Sequence, residues 1–296
     1  MIPEISHGNR QIAIISEIVD WLTFRYLGDS LKVYVSSRLA TIIVFCFCLL
    51  TIICGSEAEI DPKSIVAIYL FDNDTRDTVV DSSTNKYNAE ITGKPKWTKG
   101  KYGQAIQLDG TTWADVDQKN QAAFSLPLFT IAAWVGNMKV AGHQYVLHKS
   151  TAGADRNYIV NVQSGTGFFV GGFSPGGTWS PVVSTTNVAD GKWHYLTQTY
   201  DKKSDKVLVY VDGVLEKERK MGGNPPANEG VFRIGRGPGG SFPFTGCIDE
   251  ILIARTPFSA DQIQKLMKDG LEKSALAVGS STNQLTVTWG RIKSVR

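Results

Sequence analysis

What most constrains this chain is a recurrence. From residue 64 onward, short apolar or alternating runs return roughly every 10 to 15 residues. They cover 64–71, 105–108, 129–135, 158–162, 167–173, 193–200, 206–211, 232–234 and 246–254, with Gly, Pro, Asn and Asp clustered between them. Runs this short, bounded by turn residues and not alternating with helical segments, build an antiparallel sandwich or barrel rather than a parallel α/β sheet. The composition agrees. Only 20% of the 296 residues are charged, while Gly numbers 29, Phe 13, Tyr 10 and Trp 7, which excludes a disordered chain and a coiled coil. With 31 basic and 28 acidic residues the net charge is +3, so there is no electrostatic footprint for nucleic acid.

Local signals sharpen this reading. Asp212-Gly213, between two alternating runs, supplies the two positive-φ residues of a tight hairpin turn, and Asp109-Gly110 and Asp190-Gly191 mark further turns. Ser259 to Asp269 departs from the pattern: Ser259 and Gln262 form a capping box, and Ile263, Leu266 and Met267 share one helical face. Gly270 is placed to end that helix, which is expected to lie as a lid beside the sandwich.

The first sixty residues read as a delivery segment. No charged residue occurs from Leu39 to Ser56; Lys32 and Arg38 precede this run, and Glu57, Glu59 and Asp61 follow it. Such flanks keep the N-terminal side in the cytoplasm and send the remainder across the membrane. At 18 residues the run is short for a spanning helix and long for a signal core. Ser56 and Ala58 form a small-x-small cleavage site, so two outcomes stay open: cleavage after Ala58, or a retained anchor. The expected organisation is a leader over 1–38, a signal core or anchor over 39–58, a β-domain over 59–270 and a tail over 271–296, in which Leu285 to Trp289 alternates like a strand. The product is secreted or held at the cell surface, touching the membrane only through 39–56 if uncleaved. Cys46, Cys48 and Cys54 lie in the apolar run or at its edge. Cys247 is alone in the remainder, so no disulfide can form within the domain, and it reads as a small buried hydrophobe.

Several motifs, taken in order, carry a family resemblance. They are Ala67 to Asp72, Asp81 to Asn85, Gly100 to Gly110, Phe129 to Val135, Asp190 to Tyr195, Tyr210 to Val214, Phe232 to Arg236 and Phe244 to Glu250, followed by the helix start at Ser259. Over about 64–270 the chain resembles the laminin-G-like jelly rolls of the concanavalin A-like lectin/glucanase superfamily found in bacterial secreted proteins. The resemblance implies an all-β, two-sheet antiparallel jelly-roll sandwich with one short C-terminal helix. Fold alone does not confer function.

The resemblance extends to glucanases, so a catalytic strand is the first feature to look for. Their Glu-x-Asp-x-x-Glu strand, which sets two acids about a scissile bond, is absent. Asp249 and Glu250 are adjacent, so regular alternation would turn them to opposite faces. Gly235 to Gly240 matches G-x-G-x-x-G as a string, but Pro238 lies inside it and no helix follows to receive a phosphate. His143, His148 and His194 lack metal-ligand spacing, and His194 reads as a structural strand residue. The chain is therefore expected not to be an enzyme.

Two kinds of binding site are expected instead. Carboxylates and loop carbonyls suit calcium, and Asp72, Asp74, Asp77 and Asp81 cluster in the first loop. The resemblance implies a structural Ca2+ shared by the Asp-Ser-Ser loop and the Ile-Asp-Glu strand, with Asp81, Asn85 and Asp249 as ligands. The chain departs from the family pattern there, at Thr84, Lys86 and Ala89. Glycan binding calls for aromatic faces on loops beside planar polar groups. Trp179 sits in a Gly- and Pro-rich loop, with Arg156, Asn157 and Tyr158 as its expected companions. Arg236 and Phe242 form a second loop set, whereas Trp134 and Trp193 fit alternating core positions. The expected partner is a glycan or an extracellular protein, bound through the loops of the sandwich.

Overall fold

The computed structural model describes residues 59–72, 77–139, 142–151, 153 and 155–276. The apolar run 39–56, the cleavage point after Ala58, Asp74 and the alternating stretch Leu285 to Trp289 lie outside them. In chain order the strands are β1 (Ile65–Tyr69), β2 (Thr78–Val79), β3 (Ala89–Thr92), β4 (Lys96–Lys99), β5 (Gln104–Asp109), β6 (Trp113–Val116), β7 (Phe129–Gly136) and β8 (Gln144–Ser150). They continue as β9 (Arg156–Val162), β10 (Phe168–Phe173), β11 (Ser180–Asn187), β12 (His194–Asp201), β13 (Lys206–Val211), β14 (Val214–Lys220), β15 (Val231–Ile234) and β16 (Thr245–Ala254), and helix α1 (Ala260–Asp269) follows. No helix among the described residues is long and apolar enough to cross a membrane.

The strands form two sheets. The first runs β14-β13-β12-β7-β16-β5-β4, with β1 also on β16, and the second runs β11-β10-β9-β8-β15-β6-β3-β2. Neighbouring strands are antiparallel in both, as the turn spacing requires. Period-2 alternation delivers the core between them: Ile131, Ala133 and Val135 of β7 and Val207, Val209 and Val211 of β13 face Val160, Val162, Phe169 and Phe232 from the other sheet. The hairpin turn has φ of 51° at Asp212 and 75° at Gly213, as the Asp-Gly signal predicts.

Buried polar side chains close gaps where sheet pairing lapses. β10 pairs with β9 only at Phe169 and Val170. Beyond that point the Gln198 amide accepts from Gly172 N at 2.7 Å and donates to Ile159 O at 2.7 Å, tying the first sheet to the second. Each is a backbone group that would otherwise be left unpaired in the core.

The two outer faces differ. Helix α1, with the predicted capping box at Ser259 and a Gly270 C-cap, lies on the first sheet. Its buried Ile263 and Leu266 join Trp134, Tyr195, Leu252 and Leu271 in a second core. Trp193 is half-buried against Gly136, where any Cβ would fall 2.5 Å from the indole. Cys247 is buried in β16, as expected of a small hydrophobe. Among the described residues no such helix lies on the outer face of the second sheet, where Trp113, Asp115 and Arg233 are half-buried and His148 and Ser150 are buried.

One expectation is corrected. Asp249 and Glu250 do not face opposite ways, because a β-bulge with φ of 46° at Glu250 interrupts the register between Asp249 and Leu252. Ile248 and Ile251, three apart, both point into the core. Both carboxylates turn outward, where Asp249 accepts from Tyr102 N at 3.0 Å and Glu250 from Leu271 N at 2.9 Å.

Candidate functional site

The outer face of the second sheet is built by alternation. In β6, Ala114 and Val116 enter the core, leaving Trp113 and Asp115 outward; in β15, Phe232 and Ile234 go inward and Arg233 outward. The register then sets Arg233 between Asp115 on one neighbour and His148 on the other. Arg233 grips Asp115 as a two-pronged ion pair, with Nε–Oδ1 at 2.6 Å and the second nitrogen to Oδ2 at 2.7 Å. Trp113 Nε1 donates to the same carboxylate at 3.3 Å, and the Arg233 guanidinium lies 5.7 Å from the indole centroid.

The Gly-rich loop 235–244 supplies the wall. Arg236 lies 4.6 Å over the Trp113 ring, and its Nε donates to Gly240 O at 2.7 Å, which fixes the side chain. Positive φ at Gly235, Gly239 and Gly240 lets the backbone double back here, as side chains would resist. Phe242, 42% exposed, stacks on Tyr145 at 5.1 Å. Between wall and sheet lies a cavity of about 610 Å³ lined by Trp113, Arg233, Arg236, His148, Ser150 and Glu229, among others.

His148 is the cavity's unusual member. Burial, then the nearby Arg233 charge, pushes its pKa down to about 3, with the Arg236 backbone pulling the other way, so the ring is neutral. The Ser150 hydroxyl meets Nδ1 at 2.8 Å, which assigns the proton to Nε2 when the hydroxyl donates. Nε2 is buried with the Arg236 backbone as its one nearby influence, beyond good hydrogen-bond geometry, and Asn161 Oδ1 on β9 is unpaired. Polar atoms left so are expensive unless water or a ligand meets them.

The residues expected from sequence divide. Arg156 and Trp179 come together, guanidinium to ring centroid 5.3 Å. Arg236 joins the cavity, beside Trp113 rather than beside Trp179. Tyr158 does not belong to any surface: it is fully enclosed, packed edge-on to Phe129 and Phe232, because it follows the inward positions of β9. Asn157 is also withdrawn, 1% exposed, accepting from Leu126 N and donating to Leu126 O and Pro226 O. Trp113, Asp115, His148, Ser150 and Arg233 lie on strands rather than on the loops where aromatic platforms are expected. The available signal was the outward half of the alternation, Trp113-x-Asp115 above all.

The three residues expected to hold calcium are each engaged in hydrogen bonds within the chain. The Asp81 carboxylate, wholly buried, accepts from Ile68 N, Ser83 N, Ser83 Oγ and Tyr87 N at 2.8–2.9 Å, which fills its lone pairs. The Asn85 amide nitrogen donates to Ile65 O and Val66 O, while Asp249 turns to the loop at Tyr102. Among the described residues there is no group of three or more His, Cys, Asp or Glu placed to hold a metal. His194 is structural, as expected: its ring nitrogens meet Asp212 Oδ2 at 2.8 Å and Asp190 Oδ1 at 3.1 Å, joining two turns.

A two-sheet antiparallel sandwich with a short helix on one face is a jelly-roll architecture. The model of the concanavalin A-like lectin/glucanases superfamily, laminin-G type, matches residues 108–264, more than half of the sequence, and the chain belongs to that family. Among solved structures it is similar to domain 4 of AbnA, a GH43 extracellular arabinanase from Geobacillus stearothermophilus, in complex with arabinotriose. That likeness has 22% identity and a TM-score of 0.55, covering 69% of this chain and 98% of that one. It is also similar to the binding domain of Paraclostridial Mosquitocidal Protein 1, with 13% identity, a TM-score of 0.56 and coverage of 70% and 52%. The binding domain of Botulinum Neurotoxin DC in complex with SialylT gives 16%, 0.53, 71% and 52%. The chain thus spans about half the length of these toxin domains, and at such identities the likeness is one of fold. No curated protein matches the chain.

Proposed function

We propose that this chain is a non-catalytic carbohydrate-recognition module, displayed outside the cell, that holds its sugar in the cavity on the outer face of the second sheet. The observation that carries the reading is the constellation about Trp113: an indole fixed by Asp115 with two guanidinium groups beside it, on the wall of a cavity of about 610 Å³. Sugars offer C–H faces that lie on aromatic rings and hydroxyls that accept from planar donors, and this set supplies both. Arg233 holds the Asp115 carboxylate in a two-pronged ion pair, which fixes it beneath the indole as scaffold. The solved relative that holds arabinotriose shows that the fold accommodates an oligosaccharide. The sequence's apolar run 39–56 supports the extracellular setting.

A glycan array followed by calorimetry on the bound sugars tests the reading. Trp113→Ala should weaken binding by about tenfold or more, consistent with loss of an aromatic contact of about 1.5 kcal/mol. Unaltered affinity in a folded variant would reject this face, and release of shortened sugar on long incubation would reject the non-catalytic reading.

A further inference from the structure

Glu229, Arg233 and Arg236 are the charged residues that line the cavity, and two of them are answered from within the chain. Arg233 gives Nε and a terminal nitrogen to Asp115. Glu229, the one carboxylate among these lining residues, acts on the buried Lys149, opposing the fall in pKa to about 8 that burial causes there. Arg236 differs. Its Nε donates to a neutral carbonyl, Gly240 O, and among the described residues no carboxylate pairs with it and no acceptor meets its two terminal nitrogens. Glu229 precedes β15 and Arg236 follows it, so the strand, about 10 Å long, separates their backbones.

The unanswered guanidinium is nonetheless held in place. It lies 4.6 Å from the Trp113 ring centroid, and the Gly240 backbone packs so close that a Cβ there would fall 3.4 Å from a terminal nitrogen. A Cβ at the neighbouring Gly239 would meet nothing within 4 Å, so the loop stays clear beside it. With Nε committed, the remaining donors are the end-on fork of the two terminal nitrogens, whose parallel N–H groups match two oxygens of a carboxylate or sulfate. Arg236 is half-buried, so its charge is screened less than that of a fully exposed side chain. The surroundings have the same sign: after burial, the charges that hold the lining His148 neutral are those of Arg233, Lys149 and Arg156. A neutral sugar leaves the Arg236 charge unmatched, whereas an anionic sugar neutralises it.

We infer that the sugar held here is an anionic one, whose carboxylate or sulfate group meets the terminal nitrogens of Arg236 beside Trp113. The inference rests on the carbohydrate reading and names the class of sugar.

The test uses the full chain and a glycan array with neutral, uronate, sialylated and sulfated members. Calorimetry then compares each bound charged sugar with its own methyl ester or desulfated form, so that only the charge differs. At least one charged member should bind about tenfold or more tighter than its neutral partner, and the advantage should shrink as sodium chloride rises from about 20 to about 500 mM. The arm in which the advantage falls tells carboxylate from sulfate. Arg236→Gln, its fold checked by thermal melting, should bring the ratio of charged to neutral affinity to about one, and Arg236→Lys should keep part of the preference. Neutral sugars bound as tightly as their charged partners, or a preference that survives Arg236→Gln, overturns the inference and leaves the sugar-binding cavity standing. Failure of every member to bind overturns the carbohydrate reading and this inference with it.

Discussion

Asp81 organises its surroundings from a wholly buried position. Its four donors come from β1 and from the turn at Ser83 to Tyr87, so one carboxylate organises a loop that has few other constraints. Replacing it by Ala strands these donors in a site with no solvent access, and each unsatisfied group costs about 1–3 kcal/mol. Asp81→Ala is expected to lose at least about 3 kcal/mol in urea denaturation; a loss under about 1 kcal/mol would contradict the assignment. His194 makes a pH-dependent contribution. The hydrogen bond to Asp212 raises its pKa, burial opposes this, and Asp190 adds to the rise. A raised pKa means the folded state holds the proton more tightly. The added stability is complete below the unfolded value of about 6.5 and disappears as pH climbs through the folded value. Wild-type Tm should therefore fall more steeply than that of His194→Gln above about pH 6, and parallel curves would count against the pair.

Elements that announce themselves locally were legible. The Asp212-Gly213 turn and the capping box at Ser259 depend on a few adjacent residues, and both form as read. Gly213→Ala tests the first: φ of 75° and a Cβ position 3.1 Å from Gln264 Cγ predict a loss of about 1–2 kcal/mol, measured by denaturant unfolding. An unchanged midpoint would mean the hairpin tolerates another turn. The short strands β2, β3, β4 and β6 and the polar strands β8 and β11 escaped the reading. Their pairing is set by distant partners, such as Arg233 with Asp115, and not by their own pattern. The site failed to read for the same reason. Trp113 and Arg233 are 120 positions apart in sequence and meet only because β15 lies between β6 and β8. The bulge at Glu250 was equally invisible, since it arises where β16 exchanges β5 for β1 as its neighbour.

At the scale of the whole molecule, the sandwich spends its two outer faces differently. The second sheet presents the half-buried Trp113, Asp115 and Arg233, while the first is sealed by α1, and that seal buries acids. Asp249, wholly inaccessible, has its pKa raised to about 8, first by burial and further by the Glu250 charge, against the Tyr102 N–H bond. Glu250 is raised to about 7, again by burial first, against the bond from Leu271 N, with Asp72 adding to the rise. Unfolded, both would titrate near pH 4, so between about pH 4 and pH 8 the folded chain binds more protons than the unfolded one. Stability from these groups is therefore greatest in acid, declines as pH rises across that window and levels off above it. The strain falls on the seal, because Glu250 holds Leu271 N just past the helix and Tyr102, bonded to Asp249, donates its hydroxyl to Met267 O and Lys268 O. Asp249→Asn keeps the shape and cannot ionise. In the presence of a chelator, its Tm advantage over wild type should be small near pH 5 and grow toward pH 8, as followed by thermal melts monitored by circular dichroism. A wild-type curve that declines no faster than the variant's would show that Asp249 remains ionised beneath the helix.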